Sequence, residues 1–174
     1  MNNKNLPKEI ERKYLIKIPS DEILNSLPEC QRTDIVQTYL TSANEYTSRR
    51  LRKRGTIEKG YKFYYTEKTP VAFGEKIEIE REISEQEYNN LISQSAADSS
   101  PINKERYCFK YEGQLFELDV YSFSDKYATL EIELNDINDP VLLPDFIDII
   151  SDVTDDNRYS NAMLAKTKHL DIFN

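Results

Sequence analysis

The sequence predicts an α+β fold dominated by antiparallel β-structure, and three observations carry that expectation. Eight segments, at about 9–18, 32–41, 46–54, 60–69, 75–83, 103–111, 114–122 and 127–135, alternate polar and apolar residues with period two. Several connections are short enough for hairpins: "RGTIEKG" joins the third and fourth segments, "TPVAFG" the fourth and fifth, "YEGQ" the sixth and seventh, and "FSDK" the seventh and eighth. Helical signals are few and interrupt the strands or follow them. With 174 residues, 39% of them hydrophobic, the chain is expected to form one domain, residues 1–174, with a core of its own.

Each helical segment has a physical start signal. Ser20 opens "SDEILNSL", and Ser84 opens "SEQEYNNLISQS", where Glu87 three residues on completes a capping box. The run "LPDFIDIISDV", residues 143–153, and a tail from about Asp156 to Leu170 are the other two predicted helices. The tail follows the capping cluster "TDDN", so Tyr159, Ser160 and Asn161 read either as an ordinary helix start or as a closure at one end of the β-structure. The four glycines, Gly55, Gly60, Gly74 and Gly113, fall between strands, where turns belong.

The strands are most informative in what they place on each face, because residues i and i+2 share a side. Glu9, Glu11 and Lys13 share one, as do Arg50, Arg52 and Arg54, and Lys62, Tyr64, Thr66 and Lys68. Lys76, Glu78, Glu80 and Glu82 oppose Ile77, Ile79 and Ile83, and Lys104, Arg106 and Lys110 oppose Tyr107 and Phe109. Glu117 and Asp119 oppose Phe116, Leu118 and Val120, while Glu131 and Glu133 oppose Leu130, Ile132 and Leu134. Such alternation fits an open sheet with one solvated face. It equally fits eight strands closed into a barrel, with charge inside and helices over an apolar outer wall. A lumen of both signs would suit a polyanion held by Lys and Arg and by metal ions bound to Asp and Glu.

Composition excludes several alternatives. With 31 acidic against 23 basic residues and a net charge of −8, the chain as a whole repels nucleic acid, so any phosphate ligand needs a local basic site. No apolar run reaches membrane-spanning length, and "MNNKNLPK" lacks the apolar core of a secretory signal, which points to the cytoplasm. Cys30 and Cys108 are far apart and read as reduced thiols, Cys108 as a small filler on the charged face. A single histidine, His169, argues against His-built zinc sites and Ser-His-Asp chemistry. The glycine-rich phosphate cradles G-x-x-x-x-G-K-[ST] and G-x-G-x-x-G are absent.

The opening "EIERKYLI" resembles the E-x-E-x-K signature of the CYTH family, the triphosphate tunnel metalloenzymes. Further segments agree in order: "RLR" at 50–52, "YYTEK", "KIEIE", "KERY", "FELDVY", "EIEL" and "VTDDNRYSNAMLA" resemble successive family motifs, so the likeness runs from about residue 9 to 165. Lys76 departs from it by standing where the family pattern has arginine, which keeps the charge but not the bidentate fork. The resemblance implies an α+β fold dominated by an eight-stranded antiparallel β-barrel, a tunnel with flanking helices, and metal-dependent hydrolysis of a triphosphate. It implies Glu9, Glu11, Glu131 and Glu133 as ligands for Mg²⁺ or Mn²⁺, hard ions that prefer carboxylate oxygens. Lys13, Arg50, Arg52, Lys68, Lys76, Lys104 and Arg106 would hold phosphate oxygens. Glu78, Glu80 and Asp119 are the candidate catalytic acids; Glu78 and Glu80 either hold the water of a second metal or pair with neighbouring bases, and Asp119 is also a weaker metal-ligand candidate. The expected partner is a small-molecule triphosphate, not nucleic acid or membrane, and the expected assembly a monomer or homodimer.

Inorganic tripolyphosphate is the simplest substrate on this reading, because no aromatic-plus-polar cluster stands out for a base or thiazolium ring. Thiamine triphosphatase, nucleoside triphosphatase and class IV adenylyl cyclase activities remain open within the resemblance. A non-catalytic polyphosphate-binding module and a barrel carrying apolar ligands are the readings from other classes.

Overall fold

The computed structural model describes residues 8–42, 44, 46–72 and 75–173. Nine strands form one antiparallel sheet: β1 (Lys8–Lys17), β2 (Gln31–Leu40), β3 (Ser48–Thr56), β4 (Gly60–Ala72), β5 (Glu75–Ile83), β6 (Ile102–Tyr111), β7 (Gln114–Tyr121), β8 (Tyr127–Leu134) and β9 (Ile149–Asp152). Their order is β5-β4-β3-β2-β6-β7-β8-β1-β9, and pairing of β5 with β1 closes the first eight into a barrel. The eight strands read from the alternation are all present. Of the "TPVAFG" turn, Phe73 and Gly74 lie outside the described residues. Gly60 and Gly113 hold left-handed conformations, with φ of 79° and 76°, at the two hairpin ends where a side chain would be strained.

Closure rests on a short seam. Among the described residues, Lys8↔Ile77, Glu9↔Lys76 and Ile10↔Glu75 join β1 to β5, whereas β1 and β8 share eight pairs from Ile10↔Leu134 to Lys17↔Tyr127. Beyond the seam the same edge of β1 is taken by β9, through Tyr14↔Asp152, Leu15↔Ser151 and Ile16↔Ile149.

That ninth strand corrects the expected helix over 143–153. Leu15 and Ile16 are fully buried, so their edge must find backbone partners. The run "IISD" supplies them, while Phe146 and Ile147 pack into the core beside it. A short apolar run is ambiguous between helix and strand until its neighbours decide. The tail is also shorter than expected and is divided: a 3-10 turn at Asn157–Tyr159 precedes α3 (Asn161–Thr167). Asp156 caps the turn, Ser160 caps α3, and Lys168 ends it at φ 51°.

The other two helices begin where predicted. Ser20 caps α1 (Asp21–Ser26) and Ser84 caps α2 (Glu85–Leu91), each accepting a bond from the backbone N–H three residues on. Glu87 turns outward to Arg81 at 2.6 Å.

The barrel's outer wall is apolar. Tyr14, Ile16, Phe109, Phe116, Leu118, Leu130 and Ile132 form the largest core, covered by α1 and by the segment carrying Ile147. Leu40, Leu51 and Ile83 pack under Tyr88 of α2. A third cluster joins Leu15, Tyr39, Ile102 and Tyr121 to Val153, Tyr159 and Leu164, so the 3-10 turn and α3 stopper part of one barrel end. Among the described residues no helix is long and apolar enough to cross a membrane.

Candidate active site: a charged tunnel

The charged rows of β1 and β3–β8 turn inward, whereas β2 turns the uncharged Gln37 and Tyr39 inward and keeps Arg32 and Asp34 outside. A cavity of about 1150 Å³ runs through the barrel and is lined by Glu9, Glu11, Lys13, Arg50, Arg52, Lys68, Lys76, Glu78, Lys104, Arg106, Glu131 and Glu133, among others. Lys13, Arg50, Arg52, Lys104, Arg106, Asp119 and Glu131 are all buried, which is exceptional for charged side chains unless they are paired.

They are paired with one another. Lys13 contacts Glu131 at 2.7 Å, Lys68 contacts both Glu9 and Glu78 at 2.5 Å, and Lys76 is bonded to Glu11. Arg52 is bonded to Glu80, which also accepts from Thr66 at 2.8 Å, and lies 3.9 Å from Glu78. Lys104 reaches Asp119 at 2.5 Å, and Arg106 reaches Asp119 at 2.7 Å and Glu131 at 3.2 Å while also bonding Glu117. Arg50 is the least satisfied. Its nearest carboxylate oxygen, on Glu78, is 3.5 Å away, and the Nε atoms of both Arg50 and Arg52 are buried without a hydrogen-bond partner among the described residues.

The ionisation states follow from this crowding. Burial pushes Glu9 up to about 7, with Glu11 and Glu78 adding to the rise against the pull of Lys68. Burial would also raise Glu131, but Lys13, Arg106 and Lys104 outweigh it and hold that carboxyl well below the usual range. Asp119 is held down in the same way, by Arg106 and then Lys104 against complete burial. Burial draws Lys104 down to about 8 despite Asp119 beside it, and Arg106 adds to the pull. Cys108 lies on the inner parity of β6 with its thiol 3.9 Å from Glu117, and burial and then Glu117 push it up to about 11.

The CYTH domain pattern matches residues 7–165. The chain belongs to the CYTH family. Among solved structures, the inorganic triphosphatase NE1496 is similar at 29% identity, with 91% of this chain and 95% of that chain covered and a TM-score of 0.58. Two proteins of Pyrococcus horikoshii OT3, PH1819 and PH1012, share 20% and 18% identity over 74% of this chain and 79% and 80% of theirs, each with a TM-score of 0.54. At those identities the likeness is one of fold. No curated protein matches the chain.

Within this CYTH barrel, thirteen of the fourteen candidate residues make ion pairs, in three groups: Lys13, Lys104, Arg106, Asp119 and Glu131; Glu9, Arg50, Arg52, Lys68, Glu78 and Glu80; and Glu11 with Lys76. Glu133 lines the same cavity at an exposed position, opposite Glu11 across the β1–β8 ladder, and has no ion pair among the described residues. Glu78 lies within ion-pair distance of Arg50 and Lys68, and Glu80 is bonded to Arg52. Asp119 is wholly buried against Lys104 and Arg106. Tyr159 lies in the stopper, its carbonyl 3.5 Å from Lys13 Nζ, and Asn161 accepts from Tyr121 at 3.0 Å.

Four further lumen residues were not among the candidates. Glu117 and Arg54 had the right parity, two residues from Asp119 and Arg52, and alternation alone would have found them. Gln37 and Tyr39 of β2 line the cavity as a bonded pair, Gln37 Nε2 donating to Tyr39 Oη at 2.8 Å. An uncharged pair leaves no charge pattern to read.

Proposed function

We propose that the protein hydrolyses a triphosphate with the help of a divalent metal, most simply inorganic tripolyphosphate to pyrophosphate and phosphate. The observation that carries this reading is the pair of buried arginines, Arg50 and Arg52, which line a lumen rich in further bases and whose Nε–H donors have no partner among the described residues. A buried donor without an acceptor costs free energy, and a phosphate oxygen is the acceptor that matches a guanidinium fork. Similarity to NE1496, itself an inorganic triphosphatase, supports the same reading.

The acids fit a hard cation in kind. Glu9, Glu11, Glu131 and Glu133 are carboxylates on two paired strands, and Glu11 stands directly opposite Glu133 and Glu131 opposite Lys13 across the β1–β8 ladder. Among the described residues no three acids already converge as a metal site, because each buried acid is engaged by a base. Mg²⁺ or Mn²⁺, held by these four glutamates, would neutralise developing phosphate charge and lower the pKa of a bound water. The chain's own part is to grip and orient: Lys13, Arg50, Arg52, Lys68, Lys76, Lys104 and Arg106 hold phosphate oxygens in line for displacement. Glu78 and Glu80 aim Arg50, Arg52 and Lys68, and Asp119 aims Lys104 and Arg106. We further place the enzyme in the cytoplasm as a single-domain protein over residues 1–174, a monomer or homodimer.

A second reading has one observation in its favour. The cavity continues past the charged section to a rim that includes Ser42, Asn44, Thr47, Ser99 and Asn161, uncharged groups with room for an organic substituent. Thiamine triphosphate, a nucleoside triphosphate or a cyclase reaction on ATP would use that space. A phosphate-release panel of tripolyphosphate, ATP and thiamine triphosphate with Mg²⁺ and Mn²⁺, with cyclic AMP followed in the ATP wells, separates these readings. Release from tripolyphosphate that stops in EDTA is the expected result. Binding of all three without turnover would make the protein a polyphosphate-binding module.

A further inference from the structure

The lumen bases do not all have acids to hold. Lys13, Arg50, Arg52, Lys68, Lys76, Lys104 and Arg106 each meet a carboxylate within ion-pair distance. Arg54, the third arginine on the inner face of β3, meets none among the described residues, although it is half-buried and lines the same cavity. Its cross-strand neighbours are Ile35 on β2 and Lys62 on β4, neither of them an acid.

Position gives this cation a use. Alternate residues of a strand lie about 6.6 Å apart, so Arg50, Arg52 and Arg54 form a row about 13 Å long. One step of that row is close to the span of a triphosphate from first to last phosphorus, and Arg50 and Arg52 with their neighbours already serve it. Arg54 stands one step beyond, towards the mouth where Leu115 is exposed and Glu117 partly so. The other mouth offers a phosphate chain less. Its cations are taken, Lys166 by Asp98 at 2.7 Å and Arg49 by Tyr65 at 2.8 Å, and the groups between them are mostly uncharged.

We infer that Arg54 is an outer phosphate subsite, which lets the tunnel take linear polyphosphates longer than three units, with the additional phosphate emerging at the Arg54 mouth. The inference rests on the triphosphatase reading and deepens it by naming the substrate class as linear polyphosphate with a preference for four or more units. An anion arriving at Arg54 displaces no carboxylate, so the extra phosphate gains a charge-assisted contact without breaking an existing pair.

The test is calorimetric binding of tripolyphosphate and tetrapolyphosphate, with Ca²⁺ as the divalent ion at fixed free concentration, to the wild-type chain, Arg54→Gln and Arg54→Lys. Melting temperatures confirm that each variant is folded. Wild type should bind tetrapolyphosphate about tenfold more tightly than tripolyphosphate, the scale of one charge-assisted contact. Arg54→Gln should erase that difference while leaving the tripolyphosphate Kd within about twofold, and Arg54→Lys should restore part of it. Equal affinity of wild type for the two ligands, or equal weakening of both by Arg54→Gln, overturns the subsite and leaves the triphosphatase reading standing. If neither ligand binds, both readings fall together.

Discussion

Arg106 grips Asp119 through two parallel bonds, Nε to Oδ1 and Nη2 to Oδ2, each 2.7 Å long. Asp119 has no solvent exposure, and Lys104 reaches one of its oxygens as well. A carboxylate held in this way by two cations is part of the tunnel's frame as much as of its chemistry. Removing one member of a buried pair strands the others, at a typical cost of about 3–5 kcal/mol. Asp119→Ala should therefore lower unfolding free energy by about that much in denaturant titration. A stability within about 1 kcal/mol of wild type would show that Lys104 and Arg106 find other partners, and that Asp119 is free to serve the substrate alone.

Glu11 makes the opposite case. It is bonded to Lys76 near the short β1–β5 seam and has Glu131 as a close like charge, so its carboxylate is the kind that a cation should recruit. Glu11→Gln keeps the shape and a polar partner for Lys76 but removes the charge. Turnover of the preferred triphosphate should fall at least about a hundredfold while the melting temperature changes little. Full activity in the folded variant would remove β1 from the site.

The two faces of the wall yield a third measurement. Ile132 is buried in the outer core with Phe116 and Leu130, between the lumen positions Glu131 and Glu133. Ile132→Asn places an amide there without a partner and should destabilise the chain by a few kcal/mol. An unchanged melting temperature would mean that the wall at Ile132 yields to a polar group and is not tightly packed.

Most of this architecture was legible because one physical signal, period-two alternation, recurred along the chain and in seven of the eight barrel strands gathered a row of charge on one face. The same signal put Glu9, Glu11 and Lys13 on one face of their strand, Arg50 and Arg52 on one face of theirs, and Glu131 with Glu133 on a third, and closure of the barrel brings these faces to one cavity. Illegible features were those decided by distant partners. Ile149–Asp152 is a strand because β1 has a buried edge beyond the three pairs that the described residues make with β5, and nothing local to "IISD" says so. Gln37 and Tyr39 joined the lumen from a strand without the charge signature. The pairing of acids with bases inside the tunnel, instead of their separation into a metal half and a phosphate half, depends on which strands face each other across the barrel, and a single strand does not encode that.

That pairing sets the last prediction, which concerns how the two kinds of ligand help each other. Lys68 is shared by Glu9 and Glu78, and Lys13 is held by Glu131. A divalent cation that takes Glu9, Glu11 and Glu131 must pull them from Lys68, Lys76 and Lys13, leaving three ammonium groups in the lumen without counter-charge. Tripolyphosphate that takes those lysines must likewise strand the acids. Each ligand alone therefore spends part of its binding energy breaking pairs, and each supplies what the other exposes, so the two should tighten one another reciprocally. Binding to the native state adds RT ln(1 + [L]/Kd), about 2.7 kcal/mol at a hundredfold excess. Thermal unfolding with Ca²⁺, with tripolyphosphate and with both, at fixed ionic strength and equal free ligand concentrations, should give a joint rise in melting temperature larger than the sum of the separate ones. Free Ca²⁺ must be buffered, because tripolyphosphate chelates it. Shifts that only add would mean that the carboxylates and the bases are not exchanging partners, and the paired lumen would then be a stabilising lattice and not a site held ready for both ions.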